Sequence, residues 1–420
     1  MSGGMKGGAV KFAVIGGAGA MGRITVTDLV KTGEAGDEIV IADYDLEKAE
    51  ALARELSGGR KSSAGPRVSA VRVDVKKRDE AARALAGAFA LINCAQYQMN
   101  LEVMEIALAA GAHYVDLGGL FHITRKQLAL DARFKHAGKI ALLGMGAAPG
   151  ITNILSRFGA DRLDTVREIH ARVGSMDKTR YESAPALPVA YSLKTILEEF
   201  SFEPAVFTKG EFTFVKPMSG DVPHRFPPPI GVRRPMYTIH SEVATLPLSF
   251  REKGVREVSF KIAFDPLFVD RVKFLRDFGM ASHDAIEVPS ARDGDAGMIR
   301  VRPIDVVNKV AMSQKPGRQA GKLKQYEVVR AVVKGMRKGE KATWIVDCHT
   351  AGMPEWGVGL DIDTGSPPAI AAQMLKYGEI RGAGALAPEI AVPPKPFFER
   401  LKKRGMNVRA TRKSGWDFSV

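Results

Sequence analysis

Residues Val14–Gly22 read V-I-G-G-A-G-A-M-G, an apolar run that breaks into glycines and continues as a helix. Within it Gly17, Gly19 and Gly22 occupy the three positions of G-x-G-x-x-G. The three glycines do different things. Gly17 permits a tight turn out of the strand, and Gly19 admits a pyrophosphate close to the backbone. Gly22 lets the helix pack against the sheet, while the helix start offers N–H donors to phosphate. A glycine turn alone is a weak signal. Here Phe12–Ile15 precede it as a strand and Met21–Lys31 follow as a helix. A second strand, Glu38–Ala42, ends at Asp43, at the distance where a carboxylate meets ribose hydroxyls. The expected ligand is a dinucleotide. Asp43 would repel a 2′-phosphate and no arginine replaces it, which selects NAD. Gly17, Ala18, Gly19, Ala20, Met21, Gly22 and Asp43 form the expected cofactor cradle.

The rest of the first 145 residues keeps the alternation that a doubly wound parallel sheet demands. Helices are predicted over Leu46–Leu56, Arg78–Ala86, Leu101–Ala110 and Thr124–His136. Strands are predicted over Val68–Val73, Phe89–Cys94, His113–Leu117 and Ile140–Leu143, with a glycine- and serine-rich loop at Ser57–Pro66. Beyond Arg167 the pattern changes to strand-like runs at Glu168–Val173, Glu211–Val215, Val255–Phe264 and Tyr326–Lys334. These suggest an antiparallel sheet with helices on one face. Pro223–Pro235 reads as a loop, because its prolines lack ladder donors. Pro367–Leu375 reads as a helix with proline in its first turn, able to dock back on the first domain.

Ligands in open α/β sheets sit beyond the carboxyl ends of the strands, so residues just after each strand are the candidates. Asp74 is placed near an adenine edge, or caps the next helix. The turn Asn93-Cys94-Ala95 follows the strand that borders the nicotinamide half, and Tyr97 and Gln98 continue it. Cys94 lacks a paired histidine and is read as a small buried residue rather than a nucleophile. Tyr97 either donates to substrate or packs at a domain interface. Asp116 can hold a substrate ammonium, accept a proton, or cap the helix near Thr124. His122 shares that loop. Gly146 belongs to a second glycine-rich loop that passes over the nicotinamide or serves as a hinge, and Asn153 lies on the helix after it. His240, with Ser241 and Glu242, is a candidate substrate contact, with a structural histidine as the plainer reading.

Composition narrows the classes. The chain has 420 residues and a net charge of +14. Much of the excess is local, at Arg400, Lys402, Lys403, Arg404, Arg409, Arg412 and Lys413. Without interleaved aromatic residues or a reader motif, that charge does not point to nucleic acid. There is no run long enough to span a bilayer and no signal peptide. Two cysteines give no disulfide framework, which fits a reducing cytoplasm, and no histidine pair has metal-ligand spacing. No metal is expected.

Together G-G-A-G-A-M-G at Gly16–Gly22, A-D-Y-D-L-E-K-A-E at Ala42–Glu50, N-C-A-Q-Y-Q-M-N at Asn93–Asn100, V-D-L-G-G at Val115–Gly119 and G-A-A-P-G-I-T-N-I-L-S at Gly146–Ser156 resemble the saccharopine dehydrogenase family, and most of all its lysine 6-dehydrogenase branch. The resemblance implies a Rossmann-type doubly wound domain followed by a second α+β substrate and dimerisation domain. The expected limits are a flexible leader over 1–10, the NAD-binding domain over 11–145 and the substrate domain over 146–364. A helix returning to the first domain follows over 365–400, and a basic tail over 401–420. It implies a homodimer that oxidises a C–N bond of lysine or a lysine-derived amine. Asp116 and Tyr97 are then the catalytic candidates, and Gln98, His122, Asn153 and His240 the substrate candidates. Ala148 stands where saccharopine- and carboxynorspermidine-forming members have aspartate. An acid usual in lysine dehydrogenases is missing at Gly144. The insert with Arg225, Arg233 and Arg234 is atypical. Alternatives are therefore a saccharopine or carboxynorspermidine dehydrogenase, with the insert meeting an extra carboxylate, or an NAD-binding sensor or assembly protein without turnover.

Overall fold

The computed structural model describes residues 8–58, 65–183, 187, 192–291, 297–314 and 317–416. Most of the expected leader, the middle of the Ser57–Pro66 loop and the end of the expected tail lie outside these residues.

The first domain is built on six parallel strands, β1 (Lys11–Ile15), β2 (Glu38–Asp43), β3 (Arg67–Arg72), β4 (Ala90–Asn93), β5 (His113–Asp116) and β6 (Ile140–Leu142). They lie in the order β6-β5-β4-β1-β2-β3. Their residues alternate between two cores, because a sheet covered on both faces needs apolar side chains on each. Helices α1 (Ala20–Thr32), α2 (Leu46–Ser57), α3 (Arg78–Ala84) and α4 (Asn100–Ala110) make the crossovers. The helix expected over Thr124–His136 is two helices, α5 (Leu120–Leu128) and α6 (Asp131–His136). Asp131, at the start of α6, accepts the Ala385 amide at 3.0 Å and so holds a seventh strand. That strand, Gly384–Leu386, pairs parallel with β6 and comes from far along the chain. The helix Pro367–Lys376 docks with it, placing Ala369 and Ala372 in the first domain's core.

The second sheet departs from the antiparallel expectation. Its strand Glu257–Ala263 runs parallel to β7 (Thr165–Asp177), while Gln325–Arg337 and Glu340–Thr350 continue antiparallel. Helices α7 (Ile151–Ala160) and α9 (Glu242–Ser249) share one core with the Ile169, Ala171, Phe260 and Ala331 face of this sheet. α8 (Leu193–Glu199) belongs to a satellite cluster with Phe268 and Val272.

Two further expectations fail. The proline-rich Pro223–Pro235 segment is not all loop: His224–Arg225 pairs with Val232–Arg233, a pairing too short for its prolines to interrupt. Nor is 401–420 simply a solvated tail. Leu401 is core, Arg404 forms a buried bidentate pair with Asp28 of α1, and Asn407–Ser414 is an edge strand on Glu340–Thr350. Arg409, Arg412 and Lys413 suit an edge, where charge discourages further pairing.

Candidate active site

The strand order reverses between β1 and β4, which opens a crevice at their carboxyl ends. The loops after the two strands touch there, since a Cβ on Gly16 would stand 2.9 Å from the Ala95 nitrogen. The tight turn belongs to Gly16, at φ +68°, and not to Gly17 as the motif suggested. Gly17 is needed for space, because a Cβ would meet the Val14 carbonyl at 2.8 Å. At Gly22 a Cβ would fall 2.1 Å from the Gly16 oxygen, so this glycine lets the helix start close against the turn itself. Helix α1 starts at Ala20 with Gly19 as its cap, so the first-turn amides of Ala20, Met21 and Gly22 have no intrahelical acceptor. Gly19 and Ala20 are exposed. A diphosphate fits this cradle.

Asp43 ends β2 beside the same loop. Its carboxylate accepts the Ala18 amide at 3.1 Å and the Asp45 amide at 3.1 Å, which fixes it at the rim. Asp74 is exposed and accepts the Lys76 amide at 3.0 Å, which shapes the turn leading into α3. Asn93 bridges the loops: its oxygen takes the Ala95 amide at 3.1 Å and its amide donates to Asn100 at 2.9 Å. Asn100 in turn donates to the Gly118 carbonyl at 3.0 Å. The Cys94 sulfur lies 3.4 Å from the Thr25 hydroxyl, and burial pushes its thiol up to about 12. It is no thiolate nucleophile.

Three residues expected at substrate are elsewhere engaged. Asp116 is 0 % exposed, and its oxygens accept the Gly118 and Gly144 amides at 2.9 and 2.6 Å, Tyr114 at 2.8 Å and Gln127 at 2.5 Å. Burial raises its carboxyl despite these donors. It neither reaches the cleft nor caps α5, which starts after Gly119. Asp116 sets the two turns at Gly118 and Gly144. Asn153 is buried, receives the Gly150 amide at 3.0 Å and donates to Thr245 at 3.2 Å and Glu389 at 2.8 Å. It closes the start of α7. His240 stacks on Phe260 at 3.7 Å, with Glu242 at 3.2 Å and Glu199 at 3.8 Å from its nitrogens. Burial opposes charging this ring, but the two acids outweigh it and raise its basicity. Gly146 is also buried, its amide donating to the Pro149 carbonyl at 2.8 Å.

Tyr97, Gln98 and His122 do come together. With Gly119, Leu120 and Ile123 they form one wall of an interdomain cleft of about 280 Å³, whose other wall is Glu198, Phe202 and His283. Glu198, at 2 % exposure, joins the walls. It accepts the Tyr97 hydroxyl at 2.9 Å, Gln98 Nε2 at 3.0 and 3.1 Å, and lies 3.1 Å from His283 Nε2. Burial pushes both Glu198 and the Tyr97 phenol upward, so Tyr97 stays a hydrogen donor. Leu120 holds φ +49°, a left-handed conformation costly for leucine, at the lip of the cleft. Ser241 of the second domain pins that turn, accepting the Gly119 amide at 3.2 Å and donating to the Leu120 carbonyl at 3.1 Å. Glu198, Phe202 and His283 lie far from the glycine motif in sequence. The one available signal was I-L-E-E-F at Ile196–Phe200, acids set among apolar neighbours.

A family model described as the saccharopine dehydrogenase NADP binding domain matches residues 12–142, and the saccharopine dehydrogenase C-terminal domain matches 146–406. The chain belongs to the saccharopine dehydrogenase family. It is therefore an oxidoreductase with a nicotinamide-cofactor domain. Carboxyaminopropylagmatine dehydrogenase of Synechocystis is 22 % identical over 93 % of this chain and 95 % of that protein. Carboxynorspermidine synthase of Vibrio cholerae is 21 % identical over 96 % of this chain and 95 % of its own length. Saccharopine dehydrogenase (L-Glu forming) of Saccharomyces cerevisiae shares the fold, with TM-score 0.69 and 17 % identity over 96 % of this chain and all of that one. Among the described residues no helix is long and apolar enough to cross a membrane, and no histidine, cysteine and carboxylate cluster could hold a metal ion.

Proposed function

We propose that this family member is an NAD-dependent dehydrogenase acting on the C–N bond of a secondary amine, whose cationic arm enters the cleft toward Glu198. The lining carries this reading. Leu120, Ile123 and Phe202 offer apolar walls to methylene groups, and Glu198 supplies one buried carboxylate. Among the described residues the lining holds no lysine or arginine, its basic groups being His122 and His283, the second lying against Glu198. A substrate carboxylate would meet only these imidazoles, one already engaged by Glu198, whereas an ammonium or guanidinium would meet the Glu198 carboxylate itself. The names of both curated relatives denote amines with such an arm, and lysine also has one. The cleft does not favour the reading in which arginines of the insert meet a substrate carboxylate.

The dinucleotide supplies the hydride acceptor or donor when bound. Ala20, Met21 and Gly22 would offer amides to its diphosphate, and the Asp43 carboxylate beside the same loop would accept from ribose hydroxyls and repel a 2′-phosphate, which supports NAD over NADP. Tyr97 presents a protonated hydroxyl at the junction of the cleft walls. Asp116 acts through the Gly118 and Gly144 turns and is a positioning residue, not a catalytic one. The test is turnover of lysine, saccharopine and carboxylated polyamines with each nicotinamide nucleotide. Turnover of a cation-armed amine with NAD(H) is expected. Preference for amines lacking that arm would overturn the substrate reading, and tight NADH binding without turnover of any amine would support the sensor.

A further inference from the structure

The proline- and arginine-rich insert takes no part in the cleft. Its hairpin lies on the face of the second sheet opposite α7 and α9. Phe226 and Ile230 close over Val328, Arg233 Nε donates to the Ser175 carbonyl at 3.4 Å, and His224 lies 3.2 Å from Arg330. Beside it the parallel register sets Arg172 of β7 directly opposite Lys261 of the strand Glu257–Ala263. Arg172 is half-buried and Lys261 is 7 % exposed.

The acids on this face are already engaged. Glu168 holds Lys334 at 2.9 Å and His170 at 3.1 Å, Asp347 takes both arms of Arg330, and Asp221 meets Arg234 at 3.2 Å. Arg172 donates to the Ala171 carbonyl at 2.7 Å, the Ser259 carbonyl at 3.3 Å and the Ser259 hydroxyl at 3.1 Å. Lys261 donates to the Gly220 carbonyl and stands 4.2 Å from the centre of the Tyr237 ring. Among the described residues neither cation pairs directly with a carboxylate, and the one acid whose charge reaches Lys261 is Asp221, which Arg234 already holds. Two adjacent sheltered cations that share only a distant, already engaged carboxylate are unfavourable, and buried charges are ordinarily paired. The strain registers on both groups: burial and then Arg172 bring Lys261 down to about 8, and burial brings Arg172 down to about 10.

We propose that this face binds a compact dianion, phosphate or dicarboxylate, between Arg172 and Lys261, remote from the amine cleft. The insert then forms a rim of that site. The chemistry common to both ligands is two negative oxygens spanning two fixed cations.

The experiment reads Lys261 itself. The full chain is acetylated under limiting reagent in chloride, inorganic phosphate or malonate at equal ionic strength, and the Lys261 peptide is quantified by mass. At about 10 mM of a binding anion, Lys261 labelling is expected to fall about fivefold, exposed lysines to stay unchanged, and the melting temperature to rise by a few degrees. Whichever of phosphate and malonate protects at lower concentration identifies the ligand class. Lys261→Glu gives Arg172 an internal carboxylate and should abolish the anion-dependent rise while melting no lower than wild type in chloride. Lys261→Met should also abolish the rise, which keeps the test open if the glutamate variant does not fold. Labelling indifferent to both anions, or a rise that survives in a folded variant, would overturn the proposal. The readout needs no turnover, so it stands apart from the proposed amine chemistry.

Discussion

Glu198→Gln separates anchoring of an amine arm from every other role of that residue. The carboxylate is nearly sealed and accepts from Tyr97, Gln98 and His283 at 2.9 to 3.1 Å. Glutamine preserves shape but removes the charge and turns one acceptor into a donor that faces other donors. A hydrogen bond to a charged partner contributes about 1.5–3 kcal/mol. At about 1.4 kcal/mol per tenfold, its loss raises the amine KM by roughly tenfold to a hundredfold. kcat should move little, because the interaction is made equally before and during hydride transfer. NADH affinity should not change, since Glu198 lies on the second domain and has no bond to the glycine loop. Initial-rate measurements over pH add a sign. Burial lifts the Glu198 carboxyl, so the ionised form that binds a cation is gained as pH rises through its pKa. Wild-type KM should therefore fall with rising pH across that step, while the variant stays flat. An unchanged KM in the variant, or a fall in kcat alone, would refute the anchoring argument.

Gly22→Ala should weaken NADH binding by about fivefold to a hundredfold. Its Cβ would sit 2.1 Å from one backbone atom and 2.7 Å from another, and such overpacking typically costs about 1–3 kcal/mol; fluorescence titration checks it. Asp43→Ala should weaken NADH far more than it changes the amine KM, and should narrow the discrimination against NADPH; equal losses in both would remove the ribose assignment. His113 predicts acid sensitivity. Its Nδ1 accepts the Ile140 amide at 3.0 Å, and burial, with Lys139 nearby, lowers it to about 4. The unfolded ring binds a proton near pH 6.5, so this contribution is complete above that pH and is lost as pH falls from about 6.5 to 4. Melting curves of His113→Gln should show a shallower drop across that window than wild type.

The first domain was legible because each of its strands is a short apolar run closed by a glycine or polar turn, and its helices repeat at helical spacing. The seventh strand was not. Gly384-Ala385-Leu386 is three residues long and becomes a strand only because β6 offers an edge and Asp131 a carboxylate. Asn407–Ser414 was hidden by its own lysines and arginines, which read as solvated chain until an edge is available to pair with. At the cleft, Tyr97, Gln98 and His122 follow strands of the first domain and so could be placed by the sheet rule. Glu198, Phe202 and His283 reach the cleft through the satellite helical cluster, whose position depends on tertiary packing that no local spacing encodes. The burial of Asp116 has the same origin. Its place at the end of β5 could be read, but two of the donors that seal it, Gln127 and the Gly144 amide, come from separate segments.

The buried clasp of Arg404 on Asp28 makes the cofactor half a late product of synthesis. A ribosome that has released residues 11–145 has delivered the glycine loop but neither the helix nor the strand that seals its open border. Until residues 367–404 emerge, Asp28 is a carboxylate without its guanidinium and β6 is a bare edge. Fragments cut at 145 should therefore depend on chaperones or clump, and fusions or tags placed between 366 and 404 would interrupt nucleotide capture from a distance.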